Sequence, residues 1–130
     1  MGVTAIKSIK NNNATGAYYI KNLEHPSDTN GPDGPMKAAP GQNITCNMWI
    51  PWCTSQTDFY NNHRIIIVPF SNDPHAVTLT IWQQGDYVRY SRDGGFHDNG
   101  TLVPGNSTVN GDRSIEITGT NVLDVDLRFY

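Results

Sequence analysis

The residues best suited to chemistry fall in two stretches, the first of which is "TLTIWQQGDYVRY", residues 78–90. A hairpin with a two-residue turn at Gln84 and Gly85 would pair Trp82 with Tyr87, Ile81 with Val88 and Thr80 with Arg89. Period-two alternation then puts Val77, Leu79, Ile81, Val88 and Tyr90 on one face, and Thr78, Thr80, Trp82, Tyr87 and Arg89 on the other. An aromatic pair flanked by hydroxyl and guanidinium groups offers a ring to stack on and hydrogen-bond donors around it, which is what a sugar ring requires. The same pair would also brace an ordinary hairpin if a loop covered that face. The loop that follows, "RDGGFHDNG", carries Asp93, His97, Asp98 and Asn99. Short oxygen-bearing side chains on such a loop can hold hydroxyl groups or Ca²⁺, and they are equally the residues of plain turns.

The second stretch is "CNMWIPWC", residues 46–53, which holds both cysteines and two of the three tryptophans. Extended at about 3.3 Å per residue, Cys46 and Cys53 would stand roughly 23 Å apart, against the roughly 5.5 Å between Cα atoms that a disulfide needs. A bridge therefore demands a full reversal, and "CNMWIPW" lacks the Gly, Asp or paired Asn that would ease one. As a strand ending near Pro51, the stretch puts Ile44, Cys46, Met48 and Ile50 on an apolar face and Thr45, Asn47 and Trp49 on the other, with Trp52 opening the next loop. Two free thiols are the preferred reading. Trp49 and Trp52 join the candidate ligand residues, and the open question is whether Trp49 shares a face with Trp82.

Other chemistry is weakly represented. His25, His63, His75 and His97 form no ligand pair at metal spacing, and HExxH, GxSxG and P-loop patterns are absent. No flanking positive charge marks Cys53 as an activated thiol with His63 as its base. In the last hairpin, a three-residue turn at Gly119, Thr120 and Asn121 would set Glu116 opposite Asp124 with Asp126 nearby, an arrangement that needs Arg113 and Arg128 or a cation beside it. Salt-bridged surface is the expected outcome, and no catalytic residue is assigned.

These groups must be positioned by strands. Apolar runs bounded by turn residues mark Val3 to Ile9, Ala17 to Leu23, Ile44 to Ile50, Arg64 to Phe70, Val77 to Trp82, Tyr87 to Ser91, Arg113 to Thr118 and Val122 to Tyr130. No segment shows a period of 3.6, and His25 to Gly41 and Arg92 to Gly105 read as irregular loops. With 12 glycines and 8 prolines in 130 residues, composition also favours short strands and tight turns. The two halves repeat their punctuation in order: Gly16 and Tyr18 against Gly85 and Tyr87, His25 and Asn30 against His97 and Asn99, Pro40 against Pro104, and the Arg64 strand against the Arg113 strand. The expectation is one domain over residues 1–130, an all-β antiparallel β-sandwich of about eight strands, with internal duplication into two Greek-key units as a further reading.

"YVRYSRDGGF" (Tyr87 to Phe96), Gly100 and "DRSIEI" (Asp112 to Ile117) resemble the Greek key of the βγ-crystallins in its strand, aromatic corner and closing serine strand. The resemblance covers about a quarter of the chain; the Tyr90 to Phe96 spacing is one residue longer than the motif, and Ser114 stands alone where the motif doubles its serine.

Nine basic residues against 12 acidic ones give a net charge of −3, and the basic ones are scattered, so a nucleic-acid partner is not expected. No run reaches the roughly 18 apolar residues of a membrane span. "MGVTAIKSIK" lacks the apolar core of a signal peptide, which fits a chain made without a leader or already mature. Sequons at Asn13, Asn43, Asn99 and Asn106 exceed only slightly the roughly two that chance supplies. Together these features lead to the expectation of a non-enzymatic, lectin-like carbohydrate-binding module. Its expected site is Trp82, Tyr87, Arg89, Asp93, His97, Asp98 and Asn99 with Trp49 and Trp52, and it needs no cofactor unless Ca²⁺ takes part. The alternative is a structural β-protein that assembles with itself or binds lipid head groups.

Overall fold

A computed structural model describes residues 4–26, 30–31, 34–98, 100–105 and 111–130. The described chain is all-β apart from one short helix. Its elements are β1 (Thr4–Asn11), β2 (Tyr18–Asn22), β3 (Asn30–Gly31), β4 (Gly34–Ala38), β5 (Asn43–Trp49), α1 (Gln56–Tyr60), β6 (Ile65–Pro69), β7 (Leu79–Gln84), β8 (Tyr87–Ser91), β9 (Gly111–Asn121) and β10 (Asp124–Phe129). A four-stranded sheet runs β10-β9-β1-β5, and a second sheet runs β4-β2-β6-β7-β8 with the two-residue β3 beside β4.

Alternation builds both sheets. In β2, Tyr18, Ile20 and Asn22 turn inward; in β5, Met48 is buried while Thr45, Asn47 and Trp49 face out. Ile6, Ile9, Met48, Ile115, Ile117, Leu127 and Phe129 of the first sheet meet Tyr18, Ile20, Ile65, Ile67, Leu79, Ile81 and Val88 of the second in one apolar cluster. Each such side chain removed from water contributes on the order of 2 kcal/mol.

Every strand expected from the apolar pattern is present, and two expectations need correction. The first is antiparallel pairing throughout: β1 lies parallel to β9, with Ile9 beside Ile115. That expectation rests on hairpin connections, and strands this far apart in sequence have no hairpin to fix their relative direction. Second, the loop from His25 to Gly41 contains β4, which pairs Ala38 with Tyr18; its Gly and Pro content hid a strand that pairs on one side with β2. Each sheet draws strands from both halves of the chain. Of the sequon asparagines, Asn13 is buried, its amide donating to the carbonyls of Thr118 (3.2 Å), Asn121 (3.0 Å) and Asp124 (3.3 Å). Asn43 is exposed, and Asn99 and Asn106 lie outside the described residues.

Hairpin registers also differ from expectation. The β7–β8 loop is Gly85 and Asp86, so Trp82 opposes Arg89 and Gln84 opposes Tyr87. Gly85 sits at the first central position with φ of +61°, where a II′ turn requires glycine. In the last hairpin the loop is Val122 and Leu123, and Glu116 opposes Arg128 rather than Asp124. The carboxylates are therefore not stacked across the ladder: Asp124 accepts from the Thr120 hydroxyl (2.8 Å) and Asp126 from the Tyr90 hydroxyl (2.6 Å).

Candidate functional site

The structure separates the expected site residues into three places. Trp82 is fully buried. It lies on the face of the second sheet away from the main core, as the alternation requires, but α1 and its flanks cover that face. Phe59 meets the indole edge-on at 5.4 Å, Phe96 lies at 5.5 Å, and Cys53 completes the cluster. The helix is stopped short at both ends. Ser55 caps its N-terminus by accepting from the Asp58 N–H (3.1 Å). At its C-terminus Asn62 takes the left-handed conformation, φ +70°, a place asparagine tolerates better than most residues. Trp82 is a packing residue and offers no platform to a ligand, a correction to its assignment as one.

Arg89 and the acidic loop form the second place. The Arg89 guanidinium donates to the Gly100 carbonyl and lies 6.0 Å from the ring of the exposed Tyr87. Asp93 and His97 line a hollow of about 540 Å³ with Tyr90, Ser91, Arg92 and Thr101. Their polar atoms face each other: Asp93 Oδ2 and His97 Nε2 are 2.8 Å apart, and the Gly95 N–H donates to Asp93 Oδ1 at 2.9 Å. The Gly95 bond, then the bond with His97, hold the Asp93 carboxyl below the usual carboxylate range. Asp98 accepts from the Gln84 amide. Asn99 lies outside the described residues. Both carboxylates are engaged by protein donors, and among the described residues no three His, Cys, Asp or Glu side chains converge on a metal position.

Trp49 and Trp52 form the third place, and Trp49 does not share a face with Trp82. They line a groove of about 290 Å³ with Glu24, His25, Ile50, Pro51 and His63. Both indoles keep about half their surface in water, 51% for Trp49 and 44% for Trp52. Glu24 stands between two imidazoles: its Oε2 is 3.3 Å from His63 Nδ1 and its Oε1 3.9 Å from His25 Nε2.

The groove is built on fixed backbone. Asn22, buried at the end of β2, donates its amide to the Trp49 carbonyl (2.8 Å) and accepts from the N–H groups of Glu24 and His25 (both 3.1 Å). One side chain thus ties the turn bearing Glu24 and His25 to the end of β5. Trp52 is clamped to β7 from both sides, since Gln83 N–H donates to the Pro51 carbonyl (2.8 Å) and Cys53 N–H to the Gln83 carbonyl (2.9 Å). The pairing of Asn22 with Ile65 and the bond from Leu23 N–H to the Arg64 carbonyl (3.0 Å) bring His63 beside Glu24. Arg64 itself is turned away, with its guanidinium 4.8 Å from the Phe59 ring and donating to the Phe59 carbonyl.

Glu24 carries no mark in the sequence, and His25 and His63 stand out there only as rejected metal ligands and, for His63, as a rejected base for Cys53, not as groove residues. The only signal was their position at the ends of two expected strands, and nothing local reveals that those strands pair. Both cysteines are free, as preferred from the distance argument. Cys46 donates to the Ile6 carbonyl and Cys53 to the Ser55 carbonyl, each at 3.3 Å, and burial pushes both thiols up to about 11. Neither is poised as a thiolate nucleophile. Among the described residues no helix is long and apolar enough to cross a membrane. Phe96, the aromatic that closes the stretch resembling the crystallin corner, packs on Phe59 and Trp82. No protein-family model, curated protein or solved structure matches the chain, so the groove must be read from its own geometry.

Proposed function

We propose that this chain is a non-enzymatic, lectin-like carbohydrate-binding domain, a single β-sandwich over residues 1–130, whose ligand groove is the one between Trp49 and Trp52. The observation that carries this reading is two half-exposed indoles lining one groove with a carboxylate and two imidazoles. Holding such rings in water forgoes roughly 1–3 kcal/mol of burial each, a cost that a ligand stacking on them removes. The apolar faces of a pyranose suit the indoles, and Glu24, His25 and His63 supply acceptors and donors for its hydroxyls. Because the backbone is pinned by Asn22 and Gln83, little ordering would accompany binding. Tyr87 and the Asp93–His97 hollow, at the other end of β8, are left as accessory surface.

Glycan-array screening followed by calorimetry tests the proposal. Trp49→Ala is expected to weaken the best glycan at least tenfold with the fold intact. Absence of any glycan ligand, or unchanged binding by that variant, rejects the proposal. Sedimentation with lipid vesicles in the absence of sugar affinity would favour a head-group-binding surface instead.

A further inference from the structure

Resting on the carbohydrate reading of the same groove, we infer that it selects sugars carrying a free, protonated amine over their acetylated or acidic counterparts. The charge of the wall is the first reason. Among the described residues that line the groove, Glu24 is the only Asp, Glu, Lys or Arg, and the adjacent Arg64 is turned onto the Phe59 and Tyr60 rings. A carboxylate on the ligand would meet Glu24 with no cationic lysine or arginine beside it, so uronic and sialic acids are disfavoured.

The indoles supply the second reason. The face of a Trp ring attracts cations through its quadrupole, and Trp is the strongest of the aromatic residues in this respect. Trp49 and Trp52 both present exposed ring surface to the groove that Glu24 borders. An ammonium group in the groove would thus have a carboxylate and indole faces within one small volume. The third reason is access. The Glu24 side chain remains about one third exposed, and its partners are imidazoles at 3.3 and 3.9 Å rather than a lysine or arginine. Its carboxylate is therefore open to a ligand ammonium, which would add an ion pair that a neutral N-acetyl group cannot make. Acetylation also removes the charge that the rings attract.

The test is titration of the intact chain, followed by tryptophan fluorescence and calorimetry, with the methyl glycosides of glucosamine, N-acetylglucosamine, glucose and glucuronic acid near neutral pH, with choline chloride as a separate arm. The expected result is that the glucosaminide binds at least tenfold more tightly than the N-acetylated sugar, with glucose between them and glucuronate undetected. Glu24→Gln should bring the amine and acetamide ligands within about threefold of each other, chiefly by weakening the amine ligand. Added salt should weaken only the amine ligand. Equal affinity for the free and acetylated amines overturns the inference and leaves the carbohydrate reading standing, as does a preference that survives in Glu24→Gln. Binding of choline without any sugar overturns both, and so does failure of every ligand here and on the array.

Discussion

Trp82 lies edge-on to Phe59 with no surface in water, whereas Trp49 stands outward from β5 with half of its surface exposed. The two indoles should therefore respond oppositely to truncation. Trp82→Ala deletes a fully buried ring between Phe59, Phe96 and Cys53, and the cavity it leaves should cost about 3–5 kcal/mol, read as a lowered urea midpoint. Trp49→Ala should stay within about 0.5 kcal/mol of the parent in the same measurement, as surface substitutions do. A small loss for Trp82→Ala would mean that α1 does not cover it as described. From the sequence both residues look alike, a tryptophan on an otherwise polar strand face. Their difference is made by α1, whose five residues are too few to show a helical period.

At the scale of elements, period-two alternation carried most of the legible information. Faces survived where registers did not. Moving the β7–β8 turn from Gln84 and Gly85 to Gly85 and Asp86 shifts each residue's partner by two positions, one whole pleat, so Ile81 and Tyr90 still face inward and Trp82 and Arg89 still face the other way. Turn position is harder to read because Gly, Asn and Asp cluster at both hairpins and several placements satisfy the same pattern. Glycines with positive φ resolve that ambiguity, and they make a test. At Gly119, in the irregular ladder beside β10, φ is +107° and an added Cβ would stand 1.9 Å from the Asp124 carbonyl oxygen. At Gly85, φ is +61° and the space around a Cβ is open. Gly85→Ala should cost about 1–2 kcal/mol from backbone strain alone. Gly119→Ala adds a backbone clash and should cost clearly more, about 3 kcal/mol or beyond, with both read from urea unfolding. Equal losses would show that the bulge at Gly119 relaxes freely.

For the molecule as a whole, the fold class was legible because most strands write their own pattern, while the groove was not because no single strand contains it. Trp49 and Trp52 come from one stretch, but Glu24 and His63 join them only through the pairing of β2 with β6, and the turn after β5 reaches β7 through Trp52 and Gln83. Such pairings are set by packing of the entire core, which also determines how the protein meets alkali. Tyr18, Cys46 and Cys53 all belong to or adjoin buried apolar clusters. Burial first, and the nearby Asp124 carboxylate second, push the Tyr18 phenol up to about 12 from its ordinary 10, and burial pushes the two thiols to about 11 from 9. Tyr90 is shifted in the same direction by burial and by its hydrogen bond to Asp126. In each case the folded chain keeps a proton that the unfolded chain releases, so the unfolded state binds fewer protons and stability falls as pH rises. The contribution is fully present below the unfolded values, begins to fade above about pH 9 as the thiols ionise in the unfolded chain, and is lost for Tyr18 between about pH 10 and 12. Urea unfolding measured at intervals across that range should show a steepening decline. Tyr18→Phe removes one of the titrating groups and should flatten the segment from pH 10 to 12, sparing up to about 3 kcal/mol by its upper end. If the parent and Tyr18→Phe lose stability in parallel across that segment, the phenol at the centre of the second sheet is not held neutral by its surroundings, and the close packing of the two sheets around it would have to be wrong.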